Sequence, residues 1–178
     1  AAAQVAGGGY DKRFTWYGDA DGDLVGHAVA GLGDVDGDGW GDVILGIPGV
    51  DGPGGALTPN YGRVEVRSGL TGAVIHQING STDYHKVGTG VCGIDDLDGD
   101  TIPDFAISSD ANGGEIAFMS GATGMPLQIV GHPAGATRFG EHIESAGDID
   151  SDGIPDLLVA APGSEFGGVL EVGAVFLI

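Results

Sequence analysis

Short segments in which hydrophobic and polar residues alternate recur along the chain. A period of two residues is typical of a β-strand with one buried face. The alternation is clearest over Arg63–Arg67, Glu115–Met119 and Ala174–Leu177, and a short apolar run precedes each of these segments. We find no window with the 3.6-residue period of an amphipathic helix. The pattern therefore predicts an all-β chain with essentially no helix.

These strands belong to a longer repeat with a fixed order of features. Each repeat begins with a hydrophobic residue and a glycine, at Val25-Gly26, Val87-Gly88 and Phe139-Gly140. A short strand, an aspartate-rich loop, an apolar strand and the alternating strand follow in that order. In the first two repeats a turn leads to a fourth strand, at 74–78 and 127–130. The repeats are residues 18–79, 80–130 and 131–178, after a lead-in segment, 1–17, with a predicted strand at 13–17.

Four short strands per repeat of about 50–60 residues are typical of β-propeller blades, which pack around a central axis. The whole chain, 1–178, is therefore predicted to be one array of three blades, each with four antiparallel strands. The third repeat ends in its third strand, so we expect the N-terminal strand to complete a blade in the same chain or in a neighbouring one. The first arrangement gives a three-bladed ring. The second gives a six-bladed pair or, without closure, a filament.

Each repeat contains an acidic loop with aspartates at loop positions 1, 3, 5 and 9. Four carboxylates within nine residues repel one another strongly unless a cation lies between them. Hard oxygen ligands in this number suit Ca²⁺, which takes six to eight oxygens. The backbone carbonyl at loop position 7 is a further predicted ligand. The predicted metal ligands are Asp34, Asp36, Asp38, Trp40 and Asp42; Asp96, Asp98, Asp100, Ile102 and Asp104; and Asp148, Asp150, Asp152, Ile154 and Asp156.

The loops differ from an EF-hand, although both begin with acidic residues at positions 1, 3 and 5. An EF-hand requires a bidentate glutamate at position 12, between two helices. Position 12 here is Leu45, Ile107 or Val159, within a predicted strand. A single loop of this composition could be an ordinary solvated turn. Three copies in register favour metal binding, and we expect about three Ca²⁺ ions, one per repeat.

The order of these motifs resembles the FG-GAP repeat, which builds the propeller head of integrin α subunits and occurs in many bacterial extracellular proteins. The resemblance rests on Phe139-Gly140, the aspartate loop, the apolar strand and the closing Ala161-Pro162, and it extends over about 18–178. Departures include the valines that replace phenylalanine in the first two repeats, and Thr101, which replaces glycine at loop position 6. The resemblance implies an integrin-like β-propeller, and Thr101 implies weaker calcium binding at the second loop.

The net charge of the chain limits the kinds of molecule that we expect it to bind. The chain contains 26 acidic and 6 basic residues, and its formal net charge is −20. Nucleic acids and anionic membranes attract Lys/Arg patches, so we expect neither as a partner. No apolar run approaches the ~18 residues that span a bilayer, so we expect no membrane insertion. Glycine is abundant, at 37 residues, yet 42% of residues are hydrophobic, which favours tight turns between short strands over disorder.

These observations predict a non-enzymatic, calcium-binding extracellular or cell-surface β-propeller. Its expected role is adhesion or structural self-assembly, as a homo-oligomer or filament subunit. Calcium is abundant outside cells, which favours that location. The sequence contains no Ser/His/Asp or Cys/His constellation, and its single cysteine, Cys92, permits no intrachain disulfide. The alternative is a module that binds a glycan or a protein through the rim loops 49–61 and 163–172.

Two further motifs carry weaker signals. Asp19, Asp21 and Asp23 resemble the start of another calcium loop, but position 9 would be His27, which favours a solvated turn. The segment 88–93 matches G-x-G-x-x-G, but no predicted helix follows it, so we expect no dinucleotide site there.

Overall fold

A computed structural model describes residues 13–165 and 167–178. The helical segments in that part of the chain are two single 3₁₀ turns, Gly55–Leu57 and Ala111–Gly113. The all-β prediction is therefore confirmed for the described residues. The strands are β1 (Ala28–Gly31), β2 (Val43–Ile47), β3 (Arg63–Arg67), β4 (Val74–Asn79), β5 (Val91–Ile94), β6 (Asp104–Ser109), β7 (Glu115–Met119), β8 (Pro126–Gly131), β9 (His142–Gly147), β10 (Asp156–Ala161) and β11 (Ala174–Leu177).

Each repeat forms one antiparallel sheet. The first sheet has the strand order β1-β2-β3-β4, and the second has the order β5-β6-β7-β8. The third sheet has three described strands, in the order β9-β10-β11. The bounds of β3, β7 and β11 coincide with the predicted alternating segments, because successive residues of a strand point to opposite faces of the sheet. The prediction of four antiparallel strands per repeat is confirmed in the first two repeats.

Successive sheets pack face to face, and the core lies between them. Because neighbouring residues of a strand point to opposite faces, the second sheet contributes to both interfaces. The described sheets pack in series, as neighbouring propeller blades do, and the first and third sheets share no core cluster. The first interface contains Ile44, Val64, Val66, Phe105 and Ile107, and the second contains Ala106, Ile116, Phe118, Leu157 and Val159.

The glycine of each hydrophobe-glycine pair has a left-handed backbone conformation. Gly26, Gly88 and Gly140 have φ values of 80°, 92° and 85°. In each repeat this glycine donates its N–H to a carbonyl of the second strand of its own sheet, at 2.9–3.2 Å. A Cβ on Gly88 would lie 2.7 Å from the carbonyl oxygen of Arg63 in the first sheet. Glycine is therefore needed both for the turn and for the close approach of the preceding sheet.

Residues 13–17 form no strand, contrary to the prediction, and they do not complete the third sheet. The Trp16 indole donates a hydrogen bond of 3.3 Å to the carbonyl of Gly72, in the turn between β3 and β4. Phe14 stacks on Trp16 with 5.7 Å between ring centroids, and the Arg67 guanidinium lies 5.5 Å from the Trp16 ring. Aromatic packing on the first sheet thus replaces strand pairing for this segment. Residues 1–12 of the predicted lead-in lie outside the described residues.

Candidate metal centre

The three aspartate loops occupy the same place in their sheets. Residues 34–42 connect β1 to β2, residues 96–104 connect β5 to β6, and residues 148–156 connect β9 to β10. In every loop the carboxylates at positions 1, 3 and 9 each offer one oxygen, and these three oxygens lie within 4.8 Å of one another. Such a cluster is compact enough for one cation to contact three carboxylates. The grouped residues are Asp34, Asp36 and Asp42; Asp96, Asp98 and Asp104; and Asp148, Asp150 and Asp156.

The aspartate at position 1 folds the loop around its own carboxylate. Asp34 Oδ1 accepts the N–H of Gly37 at 2.8 Å and of Asp38 at 3.0 Å, while Oδ2 accepts the N–H of Gly39 at 2.7 Å. Asp96 receives the same three bonds, and Asp148 receives the bonds from loop positions 5 and 6. Short aspartate side chains make such local backbone contacts readily. The backbone is therefore curled so that positions 1 and 3 face the same space.

The aspartate at position 9 ties the loop to the sheet. Asp42 is 2% exposed, and its Oδ2 accepts the N–H of Val35 at 2.8 Å. Its Oδ1 accepts the N–H of Gly69 at 3.0 Å, from the turn between β3 and β4. In the third loop Asp156 is only half-buried and accepts the N–H of Ile149 at 2.7 Å. These bonds fix the position 9 carboxylate in each of the two loops.

The second loop repeats this anchor. Asp104 is 0% exposed, with Oδ2 bonded to the N–H of Leu97 at 2.8 Å and Oδ1 to the N–H of Gly121 at 2.8 Å. Sequence reasoning did not assign a role to Gly69 or Gly121. The signal was present, because both glycines begin equivalent G-x-T-G turns in the first two repeats.

The aspartate at position 5 lies outside these groups. Asp38 Oδ1 accepts the N–H of Trp40 at 2.9 Å, and the equivalent bonds from Ile102 to Asp100 and from Ile154 to Asp152 are both 2.8 Å. The position 5 carboxylate therefore holds the backbone of the residue at position 7, whose carbonyl is a predicted metal ligand. Only one oxygen of each position 5 carboxylate is used in this way.

Negative charge is concentrated in the loops. Partial desolvation, followed by the charges of Asp42, Asp38 and Asp34, raises the pKa of the Asp36 carboxyl above its ordinary value. Desolvation and the charges of Asp100, Asp104 and Asp96 raise the pKa of Asp98 in the same way. A raised pKa means that the ionised form is disfavoured there. An oxygen-only donor set with unrelieved negative charge suits a hard cation.

Loop positions 4 and 6 adopt left-handed conformations, which glycine accepts without strain. The first loop has Gly37 and Gly39 there, with φ values of 77° and 89°. The second loop has Thr101 at position 6 with φ 76°, and the third has Ser151 at position 4 with φ 65°. A non-glycine residue in this region costs about 1–3 kcal/mol. The first loop is thus the least strained of the three.

Of the two weaker candidate sites, the segment 19–23 closes a turn and the segment 88–93 leads into a strand. Asp23 is buried, and its Oδ2 accepts the N–H groups of Asp19 at 2.7 Å and Ala20 at 2.9 Å, which closes a turn. The segment 88–93 runs into strand β5, and no helix follows it. No helix within residues 13–165 and 167–178 has the length and apolar character needed to cross a membrane.

Comparison with known proteins agrees with the repeat pattern. Residues 142–178 match the family model of the FG-GAP repeat. The chain is also similar to integrin alpha-4 of Xenopus laevis, with 34% identity over 100 residues, which is 51% of this chain and 9% of that protein. The chain therefore corresponds to a small part of that relative. Both matches, together with three equivalent aspartate loops, support the assignment of the chain to the FG-GAP, integrin alpha-like family.

Proposed function

We propose that this chain is a calcium-stabilised, non-enzymatic propeller module of an extracellular or cell-surface protein, with a role in adhesion or structural assembly. The observation that carries this proposal is the grouping of three carboxylate oxygens in each of three equivalent loops. Three independent loops with the same grouping are difficult to explain as ordinary solvated turns, which need no converging carboxylates.

Calcium is the metal that these residues fit best. Each loop offers the carboxylates at positions 1, 3 and 9, the second oxygen of the position 5 carboxylate and the backbone carbonyl at position 7. In the first loop that second oxygen, Asp38 Oδ2, also accepts a hydrogen bond of 3.3 Å from the Ser68 hydroxyl. Ca²⁺ accepts such flexible, oxygen-rich surroundings, whereas Mg²⁺ demands a stricter octahedron and retains water. The ion would neutralise the carboxylates of one loop and hold the first two strands of the sheet together. Its binding free energy would then add to the stability of the fold.

The proposed role is binding or assembly, not catalysis. FG-GAP and integrin alpha-like proteins are generally non-enzymatic, and the loop carboxylates are already engaged with loop N–H groups. The similarity to an integrin alpha chain supports adhesion at or outside the cell surface. Structural assembly, as a homo-oligomer or a filament subunit, would use contacts between sheets.

A second candidate function is recognition of a glycan or a protein by the rim loops 49–61 and 163–172. The first of these loops forms one side of a cleft of about 540 Å³. Asp51, Tyr61, Arg63 and Gln77 line this cleft, and together they provide charged, aromatic and amide groups. Sugars and polar peptide segments bind to such mixtures of hydrogen-bonding groups and aromatic rings. Phe166 of the second loop lies outside the described residues.

The test of the calcium proposal is a count of bound ions by native mass spectrometry, supported by calorimetric titration. We expect three Ca²⁺ per chain, and two in each of the single variants Asp36→Asn, Asp98→Asn and Asp150→Asn. The matched control is Asp83→Asn, which removes an exposed carboxylate outside the loops and should retain three ions. A chain that binds no calcium at millimolar concentration, or variants that lose none, would overturn the proposal.

A further inference from the structure

A cavity of about 350 Å³ lies between the first and second sheets. Three polar side chains line it, those of His85, Ser109 and Glu115. None of its described lining residues belongs to the aspartate loops or to the rim loops 49–61 and 163–172. An apolar cavity with a few convergent polar groups is the usual form of a small-molecule site. Its apolar walls include Ile78, Val87, Ile107, Ala117, Met119 and Ile129.

The repeat explains why this space is open. Val87 of the second repeat is equivalent to Phe139 of the third, because each precedes the left-handed glycine of its repeat. Ala117 is equivalent to Phe176 by strand register. Phe139 and Phe176 pack edge to face between the second and third sheets, with 5.5 Å between ring centroids. Two aromatic rings thus fill the equivalent space in the next interface, whereas shorter side chains leave it open in this one.

The open space favours an occupant with an aromatic ring. Apolar walls that face water cost stability, because they lose both packing contacts and burial. The third repeat shows that the fold itself does not require this gap. Ile129 is 60% exposed, so solvent reaches the cavity, while Met119 is 3% exposed. The flexible thioether of methionine packs well against aromatic rings.

A carboxylate without a cationic partner marks the polar side of the cavity. Glu115 Oε1 lies 3.0 Å from His85 Nε2 and accepts the Ser109 hydroxyl at 3.2 Å. His85 Nδ1 is buried and has no hydrogen-bond partner among the described residues. A proton on both ring nitrogens would leave a buried N–H unpaired, so we assign the neutral imidazole, with Nε2–H as the donor to Glu115. Glu115 forms no ion pair with a lysine or an arginine in the part of the chain that the structure describes.

These polar groups occur together with the open space and are specific to the second repeat. The third repeat, which fills the equivalent space with rings, carries no ionisable side chain at the three equivalent positions. The loss of the rings and the gain of an acidic group therefore coincide in one interface. The third-repeat residues at the positions of His85, Ser109 and Glu115 are Thr137, Ala161 and Ala174.

We propose that this cavity binds a small cationic molecule that carries one aromatic ring and a primary ammonium group. The ring takes the space between Val87 and Ala117, and the ammonium group pairs with the Glu115 carboxylate, which is 33% exposed. A formal net charge of −20 also favours the approach of a cation and opposes that of an anion. The inference does not involve the aspartate loops, so it can fail or hold separately from the proposed function.

The test is calorimetric titration with phenethylamine, carried out in saturating calcium so that the aspartate loops are occupied. Phenethyl alcohol is the neutral analogue of this probe, and hydrocinnamate is the anionic one. We expect the amine to bind at one site per chain and at least about tenfold more tightly than the alcohol, because its hydrogen bond to the carboxylate is charge-assisted. Hydrocinnamate should not bind. No binding of the amine at millimolar concentration, or equal affinities for the amine and the alcohol, would overturn the inference.

Two substitutions separate the polar and apolar parts of the site. Glu115→Gln should remove the difference in affinity between the amine and the alcohol. Its matched control is Glu171→Gln, which removes an exposed carboxylate of the third repeat and should retain that difference. Ala117→Phe places a third-repeat ring in the cavity and should abolish binding of both probes. Binding that survives in Ala117→Phe would show that the probe lies elsewhere and would refute the assignment.

A measurement on the native chain needs no variant. The methyl resonances of Ile107, Met119 and Ile129 should shift as phenethylamine is added, since these side chains line the cavity. Shifts confined to the aspartate loops would identify general attraction of a cation to acidic residues, and the proposed cavity would then be wrong.

Discussion

Asp42 and Gly69 are joined by a hydrogen bond of 3.0 Å that links the first aspartate loop to the turn between β3 and β4. The carboxylate also accepts the N–H of Val35 at 2.8 Å, so one buried side chain connects three segments of the sheet. Asp104 connects the equivalent segments of the second sheet through Leu97 and Gly121. A cation bound at position 9 would therefore act on the whole sheet and not only on its loop.

Removal of calcium should lower the melting temperature markedly. Without the ion, the carboxylates of each loop repel one another while the fold holds them within 4.8 Å. The melting temperature measured by calorimetry in millimolar calcium should fall in excess chelator and return when calcium is restored. The same experiment with added magnesium controls for ionic strength. A melting curve that does not change at saturating chelator would contradict this prediction.

Asp104→Asn and Asp98→Asn should differ in their effect on the metal-free protein. Asparagine at 104 retains one acceptor oxygen, so the buried N–H of Leu97 or Gly121 loses its partner, at a cost of about 1–3 kcal/mol. Asp98 is exposed, and its substitution should reduce calcium binding with little loss of metal-free stability. Chemical denaturation of both variants in chelator measures the difference. Equal metal-free stabilities would show that the buried bonds at Asp104 contribute nothing.

Thr101→Gly should strengthen calcium binding at the second loop. Thr101 has φ 76°, and glycine removes the strain of that conformation, which is about 1 kcal/mol or more. Titration calorimetry should detect the gain as a change in one of three binding events. The reverse substitution, Gly39→Thr, introduces the same strain into the first loop and should weaken one site. An unchanged affinity in both variants would contradict the strain argument.

The Cys92 thiol should react slowly and should make stability depend on pH in the alkaline range. Burial, and then the negative charge of Glu144, raises the pKa of Cys92 to about 11 from its ordinary value of 9.0. The folded protein thus holds this proton more tightly than the unfolded chain does. The stabilisation is complete below about pH 9 and is lost as the pH rises through about 11. Denaturation measured at several pH values should show this loss in the native sequence.

Cys92→Ala should abolish that part of the pH dependence. Glu144→Gln should lower the pKa of the Cys92 thiol, so that more of the thiol is ionised at a given pH. The second effect follows because removal of a negative charge favours the thiolate. Denaturation at several pH values tests Cys92→Ala, and labelling of the thiol across pH 8–11 compares Glu144→Gln with the native chain. Identical labelling profiles for the native chain and Glu144→Gln would contradict the assigned role of that carboxylate.

Much of the local structure follows from the sequence, because it depends on contacts within one repeat. Alternation over Glu115–Met119 predicted β7 with its observed bounds, because successive residues of a strand point to opposite faces of its sheet. The spacing of the aspartates predicted which residues share a loop. The left-handed glycines after Val25, Val87 and Phe139 fit the prediction of tight turns between short strands.

The tertiary structure determined the features that depend on contacts between residues far apart in the sequence. The sequence predicted a strand at 13–17. In the folded protein Trp16 instead contacts Gly72 and Arg67, which are far from it in the sequence, and the segment forms no strand. Nothing in the sequence distinguished Asp42, buried and bonded to Gly69, from its exposed neighbour Asp36. Leu158 and Ile44 occupy the same repeat position, and only the packing of sheets makes one exposed and the other buried, because burial depends on the next sheet and not on the residue itself.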